Sequence, residues 1–527
     1  MTTILVLEEV SPAGLDLLKA EQGFEVREMY ETDPAKIGAA LAEADALILR
    51  SRTRVTAELL DHARRLKVIG RPGTGVDNID VAAATKRGVV VMNAPGENTI
   101  SAAEHTLSLM LALARQIPQA DRSMKAGRWD RGRFLGVELF GKTLGILGLG
   151  KVGREVAARA RVFGMEVIGY DPVLSEEVAA SLGVSLVPIS AVYERSDFIT
   201  LHLPLTGETR HLIGREELKR CRRGVRVLNV ARGGVIDEAA LAEALQSGQA
   251  AGAALDVFEE EPPAGSPLLT IDTVILTPHL GASTQEAQEK VAVRIAEQIA
   301  AYLKDGLVIN AVNMEGIDPR LLPALLPYRD LCERLGRLLS SLARGPVSEV
   351  TLEYSGAVQE FPMRPLSASF LKGFLEAKLS DAVNVVNAHV LAKEAGIRVL
   401  ETRAAEPQDF TALIFASLRG RDGVRSAAGA LFGKREPRLV RLDEFHLDAI
   451  PRGPMLIVSN DDRPGMVGRI GTALGAAAVN IAYLSLGRDR SGGRAIAIFN
   501  LDSPMADDLL RQIAAIDGVL WAERVTL

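Results

Sequence analysis

Up to about residue 310, short and mostly apolar runs alternate with longer stretches whose apolar residues recur at helical spacing. The runs at residues 3–7, 46–50, 68–70, 89–93, 166–170, 198–202, 225–229, 252–256 and 274–276, with one that begins at Lys142, predict strands. Ser11-Pro12 opens a helix, residues 98–127 read as one long and mostly apolar helix, and 283–304 as a long amphipathic one. Strands that are apolar throughout are buried on both faces, and helices between them make the sheets parallel, with helices on either side. The amphipathic stretch is expected to return the chain to its first domain, so that domain is discontinuous.

Near Asn310 the pattern changes, and Pro319, Pro323 and Pro327 punctuate a linker and a helix start. Residues 330–450 mix helices with short strands and show no catalytic pattern. The last segment reads as strand 455–459, turn 460–465, helix 466–477, strands 481–487 and 494–501, a helix near 504–514 and a final strand. That β-α-β-β-α-β order is ferredoxin-like. The expected boundaries are 1–97 with 287–316, 98–286, 317–452 and 453–527.

One junction carries chemistry. The run from Lys142 leads into Gly148-Leu149-Gly150-Lys151-Val152-Gly153, a helical stretch over 154–163, and a second strand that ends at Asp171. Strand, G-x-G-x-x-G, helix, strand and an acid about 20 residues on make the dinucleotide-binding pattern of a Rossmann-type domain. Gly148 permits the tight turn, Gly150 lets backbone amides reach a pyrophosphate, and Gly153 lets the helix pack on the sheet. The helix N-terminus offers free N–H groups and partial positive charge to the phosphates. Asp171 can accept hydrogen bonds from both ribose hydroxyls, and its charge repels a 2′-phosphate, so NAD is expected rather than NADP.

Composition narrows the class. Apolar residues make up 47% of 527, ample for about three to four packed domains. A net charge of −6, scattered basic residues and 4% aromatics argue against nucleic acid as the main partner. Cys221 and Cys332 give no metal spacing and no disulfide framework, which suits a reducing cytosol. The first residues lack the charged and apolar regions of a signal peptide, and no apolar run reaches the roughly 18 residues that span a bilayer. A cytoplasmic protein with neither metal nor membrane partner is expected.

A nicotinamide takes or gives hydride at one carbon, so the substrate oxygen must lose or gain a proton. The site then needs an acid/base and, for a small acid, a cationic anchor. Arg232, in Asn229-Val230-Ala231-Arg232-Gly233-Gly234, follows a strand and is placed to grip a carboxylate through two parallel hydrogen bonds. His279, in Thr277-Pro278-His279-Leu280-Gly281-Ala282, follows another strand and titrates near neutrality. Glu261 could fix the imidazole tautomer and raise its pKa. Each has a bland counterpart: a turn arginine, a loop histidine, and a solvated run of acids at 259–261. His105, in an apolar helix, and His202, beside Leu203-Pro204, read as packing residues. Arg50, Ser51 and Arg52 follow a strand end and could hold a phosphate, and Arg438, Arg441 and Arg452 could bind an anion.

Together these segments resemble the D-2-hydroxyacid dehydrogenase family, which uses Arg, Glu and His in that chain order. The matching residues are Arg232 in NVARGG, Glu261 before Pro262, and His279 in PHLGAS, and the likeness spans about 1–316. The resemblance implies that these three are catalytic and that the first domain is a flavodoxin-like substrate-binding domain. It implies that the loop Gly73-Thr74-Gly75-Val76-Asp77-Asn78 faces the substrate, its amides on the carboxylate and Thr74 on the nicotinamide side, and that Gly75 and Asn98 bind substrate. Cofactor contacts are implied at Gly148, Gly150, Lys151, Val152, Gly153, Asp171, Val230, Ala231, Arg232, Asp256, His279, Gly281 and Ala282.

Over its full length the chain is similar to the long form of the branch that oxidises 3-phospho-D-glycerate to 3-phosphohydroxypyruvate and opens L-serine biosynthesis. That form adds an intervening domain and an ACT domain, matched here by 317–452 and 453–527. The ACT likeness rests on Asp462-Arg463-Pro464-Gly465 and Val479-Asn480-Ile481. It implies ACT pairing between subunits with serine as effector at Asn460, Asp462 and Asn480; at Asn460 some long forms carry tyrosine instead. A homotetramer is implied, with Arg131 reaching a neighbour's site. Two other readings stay open: a reductase of glyoxylate or hydroxypyruvate, which usually lacks the added domains, and an NAD-sensing scaffold of the same fold that binds partner proteins.

Overall fold

The computed structural model describes residues 1–527 except 32, 319, 380–381, 405–409, 422 and 434. Pro319 of the linker therefore lies outside the described residues. The first domain is a five-stranded parallel sheet in the order Phe24–Glu28, Thr2–Val6, Ala46–Ile48, Val68–Arg71, Val90–Asn93. Alternate residues of each strand serve opposite cores. Ile4, Val6, Ile48 and Val90 pack with Val291, Ile295 and Ile299 of the helix Gln285–Asp305. Leu5, Leu47, Ile69 and Val91 pack with Ile37, Leu41 and Leu60. Burial on both faces explains why these strands are apolar through most of their length, with polar residues confined to their ends. Phe24–Glu28 escapes that pattern because it is an edge strand, only half-buried and partly charged.

The helix Gln285–Asp305 does return the chain to this sheet. Thr284 caps it by accepting from the Ala287 N–H, and Gly306 ends it at φ 67°.

The chain leaves the first sheet through Thr99–Arg115 and Ile117–Lys125, two helices where one was expected. They break at Gln116, which is left-handed at φ 53°. Pro118 has no N–H to continue the first helix and sits comfortably in the first turn of the second. The nucleotide-type sheet has seven parallel strands ordered Val274–Leu276, Ala250–Leu255, Val225–Asn229, Phe198–Leu201, Thr143–Leu147, Glu166–Tyr170, Ser185–Leu186. Strand order reverses between Thr143–Leu147 and Phe198–Leu201, and the crevice beyond their carboxyl ends is where such sheets take a ligand.

Beyond the linker, the helix Leu322–Leu342 contains Pro323 in its first turn and Pro327 one turn later. With Met363–Glu376 it covers a six-stranded, mostly antiparallel sheet. Its strands are not short: Val347–Gly356 and Gly423–Phe432 have ten residues each. The last domain is an antiparallel sheet ordered Ile481–Arg488, Arg494–Leu501, Pro454–Asp461, Val519–Thr526, with helices Met466–Ala476 and Asp507–Ala514. One face of its central strands packs on those helices through Leu456, Val458 and Phe499. The other face, through Met455, Ile457, Ile496 and Ile498, joins Leu331, Leu335 and Leu339 in the core of the intervening domain. The tail thus shares a hydrophobic core with the domain before it. That domain is in turn fastened to the first: Asn384 Nδ2 donates to Gly88 O at 2.9 Å, and Val386 enters the first domain's core.

Candidate active site

The cleft between the first two domains is a cavity of about 520 Å³ lined by Arg50, Ser51, Arg71, Thr74, Gly75, Asn98, Arg232, Glu261 and His279, among others. Two polar side chains behind it, buried Glu8 and half-buried Asn78, hold the loop that carries Arg50 and Ser51. Glu8 accepts the backbone N–H groups of Arg50, Arg52 and Thr53 at 3.1, 3.2 and 2.9 Å. Asn78 Nδ2 donates to Arg50 O and Thr53 O. The loop so held aims Arg50 and Ser51 into the cleft. Arg52 lines a different pocket with His62, so it is not brought to the site, contrary to the expectation from sequence. Arg131 lies in an exposed turn and does not line the cavity of its own chain.

Opposite, Asn229 builds the turn that presents Arg232: its Oδ1 accepts from Ala231 N–H at 3.0 Å and its Nδ2 donates to Arg232 O at 2.8 Å. The Arg232 Nε lies 3.3 Å from Asp77 Oδ2. A Cβ on Gly75 would sit 2.5 Å from the Arg232 guanidinium, so glycine here lets that group lie against the loop without moving. Thr74 Oγ1 donates to Asn98 Oδ1 at 2.9 Å, which joins two predicted contacts.

Sequence reasoning missed Arg71. It ends the strand Val68–Arg71, lines the cavity, and its buried Nε has no hydrogen-bond partner. Burial, then the nearby Arg232 charge, pull its pKa below the usual arginine value. An arginine directly before the Gly73–Gly75 loop was the available signal.

His279 Nδ1 lies 2.8 Å from Glu261 Oε2, leaving Nε2 for the cleft. The Glu261 hydrogen bond, partly opposed by burial, raises the His279 pKa above 6.5. For Glu261, burial would raise the carboxyl, but the His279 bond prevails and holds it below 4.5.

The residues that the sequence assigned to the cofactor in this domain lie at the carboxyl ends of the strands of the seven-stranded sheet. Gly148 turns at φ 92°, where a Cβ would meet His202 O at 2.5 Å. A Cβ on Gly153 would overlap Gly148 O, whereas one on Gly150 meets nothing within 4 Å, so the space beside the loop is open to a phosphate. Lys151 and Val152 open the helix Lys151–Val162, and Lys151 Nζ donates to Pro95 O at 3.3 Å. Asp171 accepts from the N–H groups of Leu149, Val173 and Leu174. Burial would raise its carboxyl, but these bonds keep it below 3.8 and ionised. Val230 packs against Gly281, whose N–H, like that of Leu280, donates to Asp256, and Ala282 O accepts from Gln288. These groups fit NAD.

His202 is partly buried with its Nε2 3.1 Å from Thr200 Oγ1, and desolvation pushes its pKa down to about 4. Among the described residues no acid, histidine and cysteine cluster could hold a metal, and no helix is long and apolar enough to cross a membrane. In the last domain Asn460 is buried and donates to Asp461 O, Asp462 accepts from Gly492 N–H, and Asn480 donates to Asp502. Asn460 pairs with Ala495, whereas Asn480 lies beside Asp502 past the other end of the strand Arg494–Leu501. One chain therefore does not bring them together. Arg438 pairs with Asp448 and Arg441 bonds Asp443 O, so both are already engaged.

The class this fold and cleft define is the NAD-dependent 2-hydroxyacid dehydrogenase. The signature described as D-isomer specific 2-hydroxyacid dehydrogenase, NAD binding domain, matches residues 107–281. Those of the D-3-phosphoglycerate dehydrogenase intervening domain and the ACT domain match 324–443 and 455–518. Proteins named D-3-phosphoglycerate dehydrogenase from Synechocystis sp. and Methanocaldococcus jannaschii are each 43% identical, over 100% and 98% of this chain and 95% and 98% of their own. The D-lactate dehydrogenase of Aquifex aeolicus, crystallised with NAD and lactic acid, superposes with a TM-score of 0.52 at 28% identity, over 60% of this chain and 100% of its own. The chain belongs to the D-3-phosphoglycerate dehydrogenase family.

Proposed function

We propose that the chain oxidises 3-phospho-D-glycerate to 3-phosphohydroxypyruvate with NAD, opening L-serine biosynthesis. The observation that carries this reading is the trio Arg50, Arg71 and Arg232 around one cavity, with Arg71 Nε buried and unpartnered. A glyoxylate or hydroxypyruvate carboxylate occupies one guanidinium and leaves buried charge unmatched, whereas a substrate with carboxylate and phosphate matches it. Arg232 holds the carboxylate and the hydroxyl oxygen, with the Thr74 and Gly75 amides beside it. Arg50, Ser51 and Arg71 take the phosphate. His279 Nε2 accepts the hydroxyl proton, and Glu261 supports the resulting imidazolium. NAD, lying along Gly148–Gly153 with Asp171 on its ribose, supplies the hydride acceptor.

The test is NADH formation from 3-phospho-D-glycerate and from D-glycerate, with and without serine. A strong preference for the phosphorylated acid is expected, and Arg71→Ala should lower kcat/KM for it by about 10- to 100-fold while changing D-glycerate far less. Equal use of both acids by the wild type removes the reading.

The histidine gives the pH dependence a sign. His279 must be neutral to take a proton, and its folded pKa lies above 6.5, so oxidation should fall as pH drops through that raised value. Glu261→Gln removes the largest cause of the raise and leaves the opposing burial. The acid limb of kcat/KM should therefore move to lower pH, and an unmoved limb contradicts the pairing.

We propose a homotetramer as the working assembly. Ile117, Met124, Trp129, Leu135 and Phe140 are exposed along one segment, and a serine that bridges Asn460 or Asp462 with Asn480 needs two copies of the last domain.

A further inference from the structure

The helix Thr99–Arg115 begins just after the chain crosses from the first sheet, and the loop after Val274–Leu276 is where it crosses back. Two side chains one turn apart on that helix reach the returning loop. Ser101 Oγ lies 2.7 Å from Oγ1 of Thr284, the cap of the return helix. His105 Nε2 lies 3.2 Å from Asp256 Oδ1 and 3.2 Å from Thr277 Oγ1. Neither neighbour has a proton to give, because a carboxylate only accepts and the Thr277 hydroxyl already donates to Asp256 Oδ1 at 2.6 Å. His105 therefore carries its proton on Nε2 and donates. This is not the packing role its apolar helix suggested.

The acceptor matters to the site. Asp256 is 1% exposed and accepts Leu280 N–H at 2.7 Å and Gly281 N–H at 2.8 Å, while its main-chain oxygen accepts His279 N–H at 2.9 Å. It thus holds the backbone of His279 and of the two residues after it. His279 sits there at φ 55°, a left-handed conformation that is uncommon for a residue with a Cβ and that these bonds help to hold. Burial would raise the Asp256 carboxyl; the bonds from His105, then Thr277 and Leu280, keep it below 3.8 and ionised.

We infer that His105 is a positioning residue for the oxidation step: by donating to Asp256 it locks the turn that aims His279, and with Ser101 it ties the outgoing crossing to the returning one. This rests on the reading of His279 as the base. A glutamine Nε2 stands as many bonds from Cβ as the imidazole Nε2, so His105→Gln can restore the donor, whereas His105→Leu removes it and His105→Asn falls short.

In His105→Leu, kcat should fall about 10- to 100-fold, with NADH affinity and the KM values within about threefold of wild type. The primary isotope effect on kcat with substrate deuterated at C2 should rise, because chemistry becomes limiting. His105→Gln should recover most of the rate. Should His105→Leu not fold, His105→Asn against His105→Gln makes the same comparison, slow against fast. Near-wild-type kcat in the leucine variant overturns the inference, as does a loss with unchanged isotope effect and no recovery in His105→Gln. His279→Ala is assayed alongside: near-normal turnover there means the base was misassigned, whereas an inactive His279→Ala beside an unimpaired His105→Leu defeats only the positioning role.

Discussion

His279→Ala should lower turnover by about 10²- to 10⁴-fold, the usual contribution of a positioned general base, and leave NADH binding within about threefold. The split follows from where the ring sits. Its Nδ1 is committed to Glu261 and its Nε2 faces a cavity shared with Arg232, Arg71 and Arg50, while the phosphate cradle at Gly148–Gly153 is built without it. Alanine can keep the backbone bonds to Asp256 and removes the proton acceptor together with the ring's bond to Glu261, so the loss belongs to chemistry. Initial rates and a fluorescence titration with NADH measure the two halves. Turnover near that of wild type would sink the assignment of the base, and a parallel collapse of NADH binding would show that the loop, not the ring, had been lost.

Gly233→Ala should be nearly as damaging, although residue 233 touches no substrate. A Cβ there would overlap the Phe258 carbonyl. To restore a normal contact, one of two backbone segments must shift by about 1 Å or more. One segment carries Arg232 in the preceding position. The other carries Phe258, whose N–H donates to Glu261 Oε1 at 3.2 Å. A single methyl group thus displaces the carboxylate anchor or the partner of the base. A misplacement of that size costs about 100-fold in kcat/KM, and the overpacking about 1–3 kcal/mol of stability. Gly207→Ala, where a Cβ meets nothing within 4 Å, is the matched control and should be near neutral. If both variants share the wild-type Tm and kcat/KM, the close approach at Gly233 does not exist in solution.

The parts of this molecule that were legible in the chain share a property: their signal is local. The glycine loop, the helix behind it and Asp171 lie within one unit, and their physical requirements act on neighbours in sequence. The apolar runs of the two parallel sheets are equally local, because burial on both faces leaves few polar positions to blur them. Local reading failed where a signal was weak or remote. Phe24–Glu28 is an edge strand with little to bury, and the small residues of Gly423–Phe432 hide a long strand. Arg52 looked equivalent to Arg50 until Glu8, 42 to 45 residues away, fixed the loop that parts them. Arg71 was passed over and His105 read as a packing residue for the same reason: their meaning lies in Arg232 and Asp256, far along the chain.

By itself the sequence determined the fold class and the cofactor, since periodicity, glycine spacing and a terminal acid each follow from the geometry of a single strand–helix unit; the order Arg232, Glu261, His279 came from resemblance to a family. Only the tertiary structure decided which arginines meet across the cleft, which way His279 is aimed, and that the tail shares a core with the domain before it. Those depend on side-chain direction and on contacts between distant segments, and no local pattern encodes either.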